Sequence, residues 1–285
     1  QSIHFYPTNK IRLTIDKESI IKNNVVSPKQ YDSIVPYIDI DIKGRALYKN
    51  RLMMLDLIAN NNWKRPIYFS GGAYDDEDFL WMKNYLQLDG MTYKLVPIKT
   101  EIPKDASPLE MGGIDTDKMY ANVMKWDWGN SESLSIYHDP ETRKNSITYR
   151  SYLSRLMNQL ILEGKKEKAK NIITLAMNKM PLEQFGYYSL LEPFAKGYYD
   201  LGENAKAQDL LSKLILKYKE NLKYYSSLTP SDQTSLAIDI ITDIERYRSL
   251  LLVMKESGDV TFYNKNKAQF NTYVSIFERF GREKE

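Results

Sequence analysis

The chain has 285 residues, enough for one large domain or two ordinary ones. Its 42% hydrophobic and 27% charged residues are ordinary for a globular chain, and a formal net charge of +3 is too small to imply a nucleic-acid partner or an anionic membrane surface. It has no cysteine, which excludes disulfides, thiolate catalysis and cysteine-bound zinc.

The chain starts at Gln1 with no leader-like segment, which reads as a piece excised from a longer polypeptide. Ile11 to Ile15 and Tyr37 to Ile42 alternate apolar and polar residues, the period of a half-buried strand. The second segment puts Ile38, Ile40 and Ile42 on one face and Asp39 and Asp41 on the other. Tyr48 to Asn60 has the spacing of a helix through Leu52, Leu55 and Ile58, and Asn60-Asn61-Asn62 ends it. Pro66 to Phe69 reads as a short strand broken by Gly71-Gly72. Asp75 to Leu86 reads as a helix with an acidic first turn, stopped at Asp89-Gly90, and Thr92 to Ile98 as another strand. This alternation predicts a small, mainly parallel sheet with flanking helices. Asp115 or Thr116 is a candidate cap for a helix through Met119, Val123 and Met124.

Ser131 to Thr142 is a polar connector, and it sets the expected organisation: an α/β domain over 1–138 and an all-α repeat domain over 139–285. In the second half Leu153, Leu156, Leu160, Gly164, Ala169, Ile173 and Ala176 recur 38 residues later as Leu191, Phe194, Tyr198, Gly202, Ala207, Leu211 and Leu214. The spacing within each set is that of a tetratricopeptide-type helical hairpin, in which a glycine turns the corner and an alanine admits close backbones. Two further helices, about Ser231 to Ser257 and Val260 to Phe280, meet at a Gly258-Asp259 corner. They lose the repeat's small residues (Tyr263 stands at the alanine position) and read as a degenerate capping hairpin.

Candidate chemistry is sparse. Asp39 and Asp41 share a strand face and are the carboxylates a hydrolase of the α/β half would use; an exposed strand face is the plainer reading and is preferred. Asp75 to Asp78 lack the ligand pattern of a calcium loop, and His4 and His138 lie too far apart to suggest zinc. No catalytic residue, metal ligand or cofactor is expected. The ligand-binding candidate is Asn60, Asn61, Asn62, Trp63 and Arg65, where a helix end meets a strand start. Amides and a guanidinium suit sugar hydroxyls, and an indole suits a ring face; capping by the asparagines is the plainer alternative. In the repeats, the register puts Tyr198 in the core and leaves Tyr199 exposed as a further ligand contact. The tyrosine pairs 187–188 and 224–225 are also candidates to line the repeat surface, and Asp32-Ser33-Ile34 is similar to a short O-glycosylation acceptor motif.

The run Leu55 to Phe69 (LDLIANNNWKRPIYF) and the run Tyr85 to Pro97 (YLQLDGMTYKLVP) together resemble the soluble C-terminal part of a Bacteroidetes membrane protein family defined by the DUF2723 domain. Ile114 to Tyr120 and Trp126 to Asn130 look like later landmarks of that family. Its membrane part is similar to protein O-mannosyltransferases. The resemblance implies a non-catalytic domain at the periplasmic face of the inner membrane, tethered to a membrane-embedded part of the same polypeptide. An acceptor protein or glycan would be held by the repeats. The catalytic acids it implies lie outside these residues. A structural spacer is the blander alternative.

Overall fold

The structure is a computed structural model that describes residues 2–3, 8–42, 47–70, 79, 81–103 and 106–281. The chain divides into two compact units, Gln1–Trp128 and Gly129–Glu285. The first is a small region of short strands and helices; the second is mostly helical.

The first unit runs β1 (Ser2–Ile3), β2 (Lys10–Thr14), α1 (Lys17–Lys22), β3 (Tyr37–Asp41), β4 (Leu47–Tyr48), α2 (Lys49–Asn60), β5 (Tyr68–Ser70), β6 (Leu86–Asp89), β7 (Thr92–Leu95), β8 (Gly113–Ile114) and α3 (Thr116–Val123). The β2–β3 pair is antiparallel from Lys10↔Asp41 to Thr14↔Tyr37. Ile38, Ile40 and Ile42 are buried, as their alternation requires. α3 is capped by Asp115, whose carboxylate accepts from the Lys118 N–H at 3.4 Å, and it buries Met119 and Val123 completely.

The expected mainly parallel sheet does not form. The larger sheet has the order β5-β7-β6-β8, and among its described strands only β6–β8 is parallel. The reason is local. Asp89 pairs with Thr92, so only Gly90 and Met91 join β6 to β7, and Gly90 has φ +72°. A two-residue loop makes an antiparallel hairpin; a parallel crossover needs a dozen residues or more. Asp89-Gly90 is therefore a hairpin turn and not a helix stop. The helix expected over Asp75–Leu86 is corrected with it. Its acidic first turn lies outside the described residues, as do Gly71-Gly72 and His4. In the described part, Trp81 has φ +57°, a value no right-handed helix contains, a single tight turn follows over Lys83–Tyr85, and β6 begins at Leu86.

The second unit runs α4 (Pro140–Leu162), α5 (Lys166–Lys179), α6 (Leu182–Phe185), α7 (Glu192–Asp200), α8 (Asn204–Ser226), α9 (Pro230–Ser235), α10 (Ala237–Glu256), α11 (Val260–Ile276) and α12 (Glu278–Gly281). α4 packs on α5, α7 on α8 and α10 on α11, each pair joined by a short corner. The three corners have one geometry. Gly164, Gly202 and Gly258 have φ of +73°, +75° and +77°. The N–H of the next residue (Lys165, Glu203, Asp259) donates to the carbonyl of Leu160, Tyr198 and Met254 in turn. Open space surrounds each of these glycines, so backbone conformation alone demands them. Leu153, Leu156, Leu160, Ala169, Ile173 and Ala176 are fully buried, as are Phe194, Ala207, Leu211 and Leu214. Each large aliphatic side chain among them contributes about 1.5–3 kcal/mol by leaving water. The closest approach is at Gly197 on α7, where a Cβ would stand 2.5 Å from Met157 Sδ on α4.

Residues 129–138, expected to close the first domain, pack within the helical unit. Ser131 Oγ donates to the Lys179 carbonyl at 2.6 Å, and Gln184 Nε2 to the Ser133 carbonyl at 2.6 Å. His138 Nε2 lies 2.9 Å from the Ser131 carbonyl, with its ring 4.7 Å from Phe185. Asp139 then caps α4 by accepting from the N–H groups of Glu141 and Thr142. Inside the unit Arg150 is fully buried and donates to the carbonyls of Met180, Gly186 and Tyr187, which ties the 180–187 connection to α4. Burial pushes its guanidinium down to about 10.

Candidate functional site

The turn after α2 is built by its asparagines. Asn60 Nδ2 donates back to the Asp56 carbonyl at 3.0 Å. Asn61 Nδ2 donates to the Arg65 carbonyl at 2.7 Å, and Asn61 Oδ1 accepts from the Arg65 N–H at 3.3 Å. Asn62 and Trp63 both have positive φ, 48° and 57°. For tryptophan that is an uncommon backbone state, held here by the asparagine clip on either side.

The turn presents Trp63 and Arg65 to a cavity of about 350 Å³ within the first unit. Tyr68 and Lys94 line it from β5 and β7, Asp89 from the end of β6, and Lys118 and Asn122 from α3. Lys94 is buried, and its ammonium donates to the Val25 carbonyl at 2.6 Å. Burial and the neighbouring Lys118 ammonium push the Lys94 pKa down against the opposing pull of Asp89 and Asp115. Asp89 accepts from the Tyr68 hydroxyl at 3.0 Å and from Asn122 Nδ2 at 2.7 Å. Burial and that carboxylate push the Tyr68 phenol up to about 12. The wall therefore gathers lysine and arginine side chains, amide donors and a phenol that stays neutral at pH 7 around one carboxylate.

The sequence candidates divide accordingly. Trp63 and Arg65 reach the cavity. Asn60, Asn61 and Asn62 do not line it: the first two hold the turn through their side chains, and Asn62 supplies a positive-φ backbone. Tyr199 belongs to the other unit and is not an exposed contact. It is 8% exposed, and its hydroxyl donates to Asp259 at 2.8 Å, because the third hairpin covers the α7 face that a two-hairpin register leaves open. Tyr198, expected in the core, is half-buried with the Lys206 ammonium 5.9 Å from its ring centre. Lys94, Tyr68, Asp89, Lys118 and Asn122 escape a motif search. The available signal is Lys94 itself, a lysine between Tyr93 and Leu95 on a strand flanked on both sides.

The acids considered for hydrolysis serve the fold. Asp39 accepts from Arg12 Nε at 2.7 Å and Nη2 at 2.9 Å, and Asp41 lies 3.5 Å from Lys10, each pair directly cross-strand. The Arg12 hydrogen bond lowers the Asp39 pKa, the opposite of what a general acid needs. Among the described residues no group of three or more His, Asp or Glu side chains gathers to hold a metal ion. Asp32 and Ser33 stand exposed at the end of a tight turn, Pro28–Ser33.

No described helix is long and apolar enough to cross a membrane. No curated protein and no solved structure matches the chain. Residues 1–118 match the family model described as TMEM260-associated domain 2, and that match spans every residue lining the cavity except Asn122, so the first unit is similar to that domain.

Proposed function

We propose that the chain is the non-catalytic periplasmic part of a membrane-bound, glycosyltransferase-like protein, and that its helical unit holds an acceptor protein or an assembly partner. The observation that carries this reading is the recurrence of one corner geometry at Gly164, Gly202 and Gly258, joined to the 38-residue repeat of buried positions. Tetratricopeptide-type hairpins stacked in register form surfaces that hold extended ligands. A groove of about 320 Å³ beside Pro181, Leu182, Tyr198 and Lys206 lies between the first two hairpins and suits such a partner. The resemblance of the Leu55–Phe69 and Tyr85–Pro97 runs to the DUF2723 family supports attachment to a membrane-embedded part, as does the description of the matching family model.

The test is deletion of residues 129–285 from the intact membrane protein. The proposal expects membrane insertion to persist while glycan transfer to the acceptor is lost. Transfer at the full rate without the helical unit refutes it. A hydrolase using Asp39 and Asp41 is the weaker reading, because both carboxylates are engaged by cations.

A further inference from the structure

The cavity of the first unit is the feature that the helical-docking reading leaves unused. Its wall carries Lys64, Arg65, Lys94 and Lys118 against the single carboxylate of Asp89. That is four cations to one anion in a chain whose total charge is only +3. Lys94 is 7% exposed, and an ammonium there is costly unless it has partners. It has three donor hydrogens, and Val25 accepts one of them. Lys118 and Arg65 have no ion pair among the described residues, and Asp89 is already hydrogen-bonded by Tyr68 and Asn122. Two ammoniums are thus held side by side, and the carboxylates of Asp89 and Asp115 offset their repulsion only in part, since the Lys94 pKa is still pushed down. Repulsion of that kind is relieved when a doubly charged oxyanion takes the remaining donors. The rest of the wall suits a small polyhydroxylated body: the Trp63 ring, and the amides of Asn24 and Asn122. The volume, about 350 Å³, is that of a small-ligand pocket.

We infer that this cavity is a binding site for a phosphate monoester of a small sugar, with Lys94, Lys118 and Arg65 on the phosphate and Trp63 against the ring. Lys94 is the fixed element, set by β7 and by its bond to Val25; Lys118 and Arg65 are the adjustable ones. Asp89 acts against the ligand's charge and orients Tyr68 and Asn122.

Isothermal titration of the full chain with glucose 1-phosphate, inorganic phosphate, glucose and glucuronate tests this, with circular dichroism confirming that each variant is folded. Glucose 1-phosphate should bind most tightly and inorganic phosphate more weakly. Glucuronate, a monoanion, should bind more weakly than glucose 1-phosphate, and glucose not measurably. Lys118→Gln should weaken glucose 1-phosphate about tenfold or more, and Lys118→Arg should restore most of it. Asp89→Asn should tighten binding, an effect that a purely structural role for Asp89 does not produce. Glucose binding as tightly as its phosphate overturns the inference, as does equal binding by wild type and Lys118→Gln. Absence of binding by both phosphate probes at 10-fold above the protein's working concentration, extended to about 10 mM, overturns it too.

Discussion

Gln208 on α8 donates its side-chain amide to the Asp259 carboxylate at 2.7 Å, across the boundary between the second and third hairpins. One hairpin earlier, Lys170 on α5 lies 3.4 Å from Glu203. Both donors stand six residues after a corner glycine (164 to 170, 202 to 208), and both acids stand one residue after the next corner glycine (202 to 203, 258 to 259). The third hairpin lacks the alanine spacing of the first two, yet it is docked by the same polar device.

Asp259 concentrates that device. It accepts from Gln208 and from the Tyr199 hydroxyl, and caps α11 through the Phe262 N–H. Asp259→Ala should lower stability by about 2 kcal/mol, read as a shift in the urea midpoint. Glu203→Ala should change it little, because the Glu203 ion pairs are solvated. The Asp259 pKa is lowered: burial raises it, but the bonds from Gln208 and Tyr199 outweigh that. Its contribution is therefore present above the unfolded value, near 4, and is lost as pH falls through the lower folded value. An Asp259→Asn variant should lack that acid-side loss.

Gly197→Ala should cost about 1–3 kcal/mol, because the new Cβ meets Met157 Sδ and that fully buried side chain must repack. Gly202→Ala meets no atom and is strained only by φ +75°, so its cost should be about 1 kcal/mol. A double-mutant cycle with Met157→Ala should show coupling for Gly197 and none for Gly202.

Arg150→Met should destabilise the helical unit by about 3 kcal/mol or more. It strips donors from the buried Met180 carbonyl and the part-buried Gly186 carbonyl without replacing them. Thermal unfolding measures the loss, and limited proteolysis should locate it in the 180–187 connection.

Asp243 is buried, and burial raises its pKa despite the bond from Asn221 at 2.8 Å. A raised carboxyl pKa contributes stability below the unfolded value and loses it as pH rises through the folded value. Asp243→Asn, which can still accept from Asn221, should therefore be more stable than wild type at pH 7. The gap should shrink as pH falls; unfolding at a series of pH values reads it directly.

Where one physical rule decides a feature, the chain states it openly. Ile38, Ile40 and Ile42 alternate because one face is buried, and most positions of the Leu153 to Ala176 set recur buried 38 residues later because the first two helix pairs bury similar faces. Asp89-Gly90 reads as a helix stop in the sequence because glycine ends helices and turns hairpins by the same positive φ; the two-residue register makes it a hairpin turn. Tyr199 was misplaced because a repeat register describes one hairpin's own seam and not the face its successor covers. Trp63 and Arg65 were legible at the cavity as a loop between elements. Lys94, Lys118 and Asp89 were not, because they converge from β7, α3 and β6, segments that only the folded sheet brings together.

On the function proposed above, this chain holds ligands and does no chemistry on them. The most direct measurement incubates the purified chain with glucose 1-phosphate and with a chromogenic glucoside, and follows release of phosphate and of the chromophore. The account predicts release no faster than in buffer alone. Release that disappears in Asp89→Asn or Asp39→Asn would contradict it.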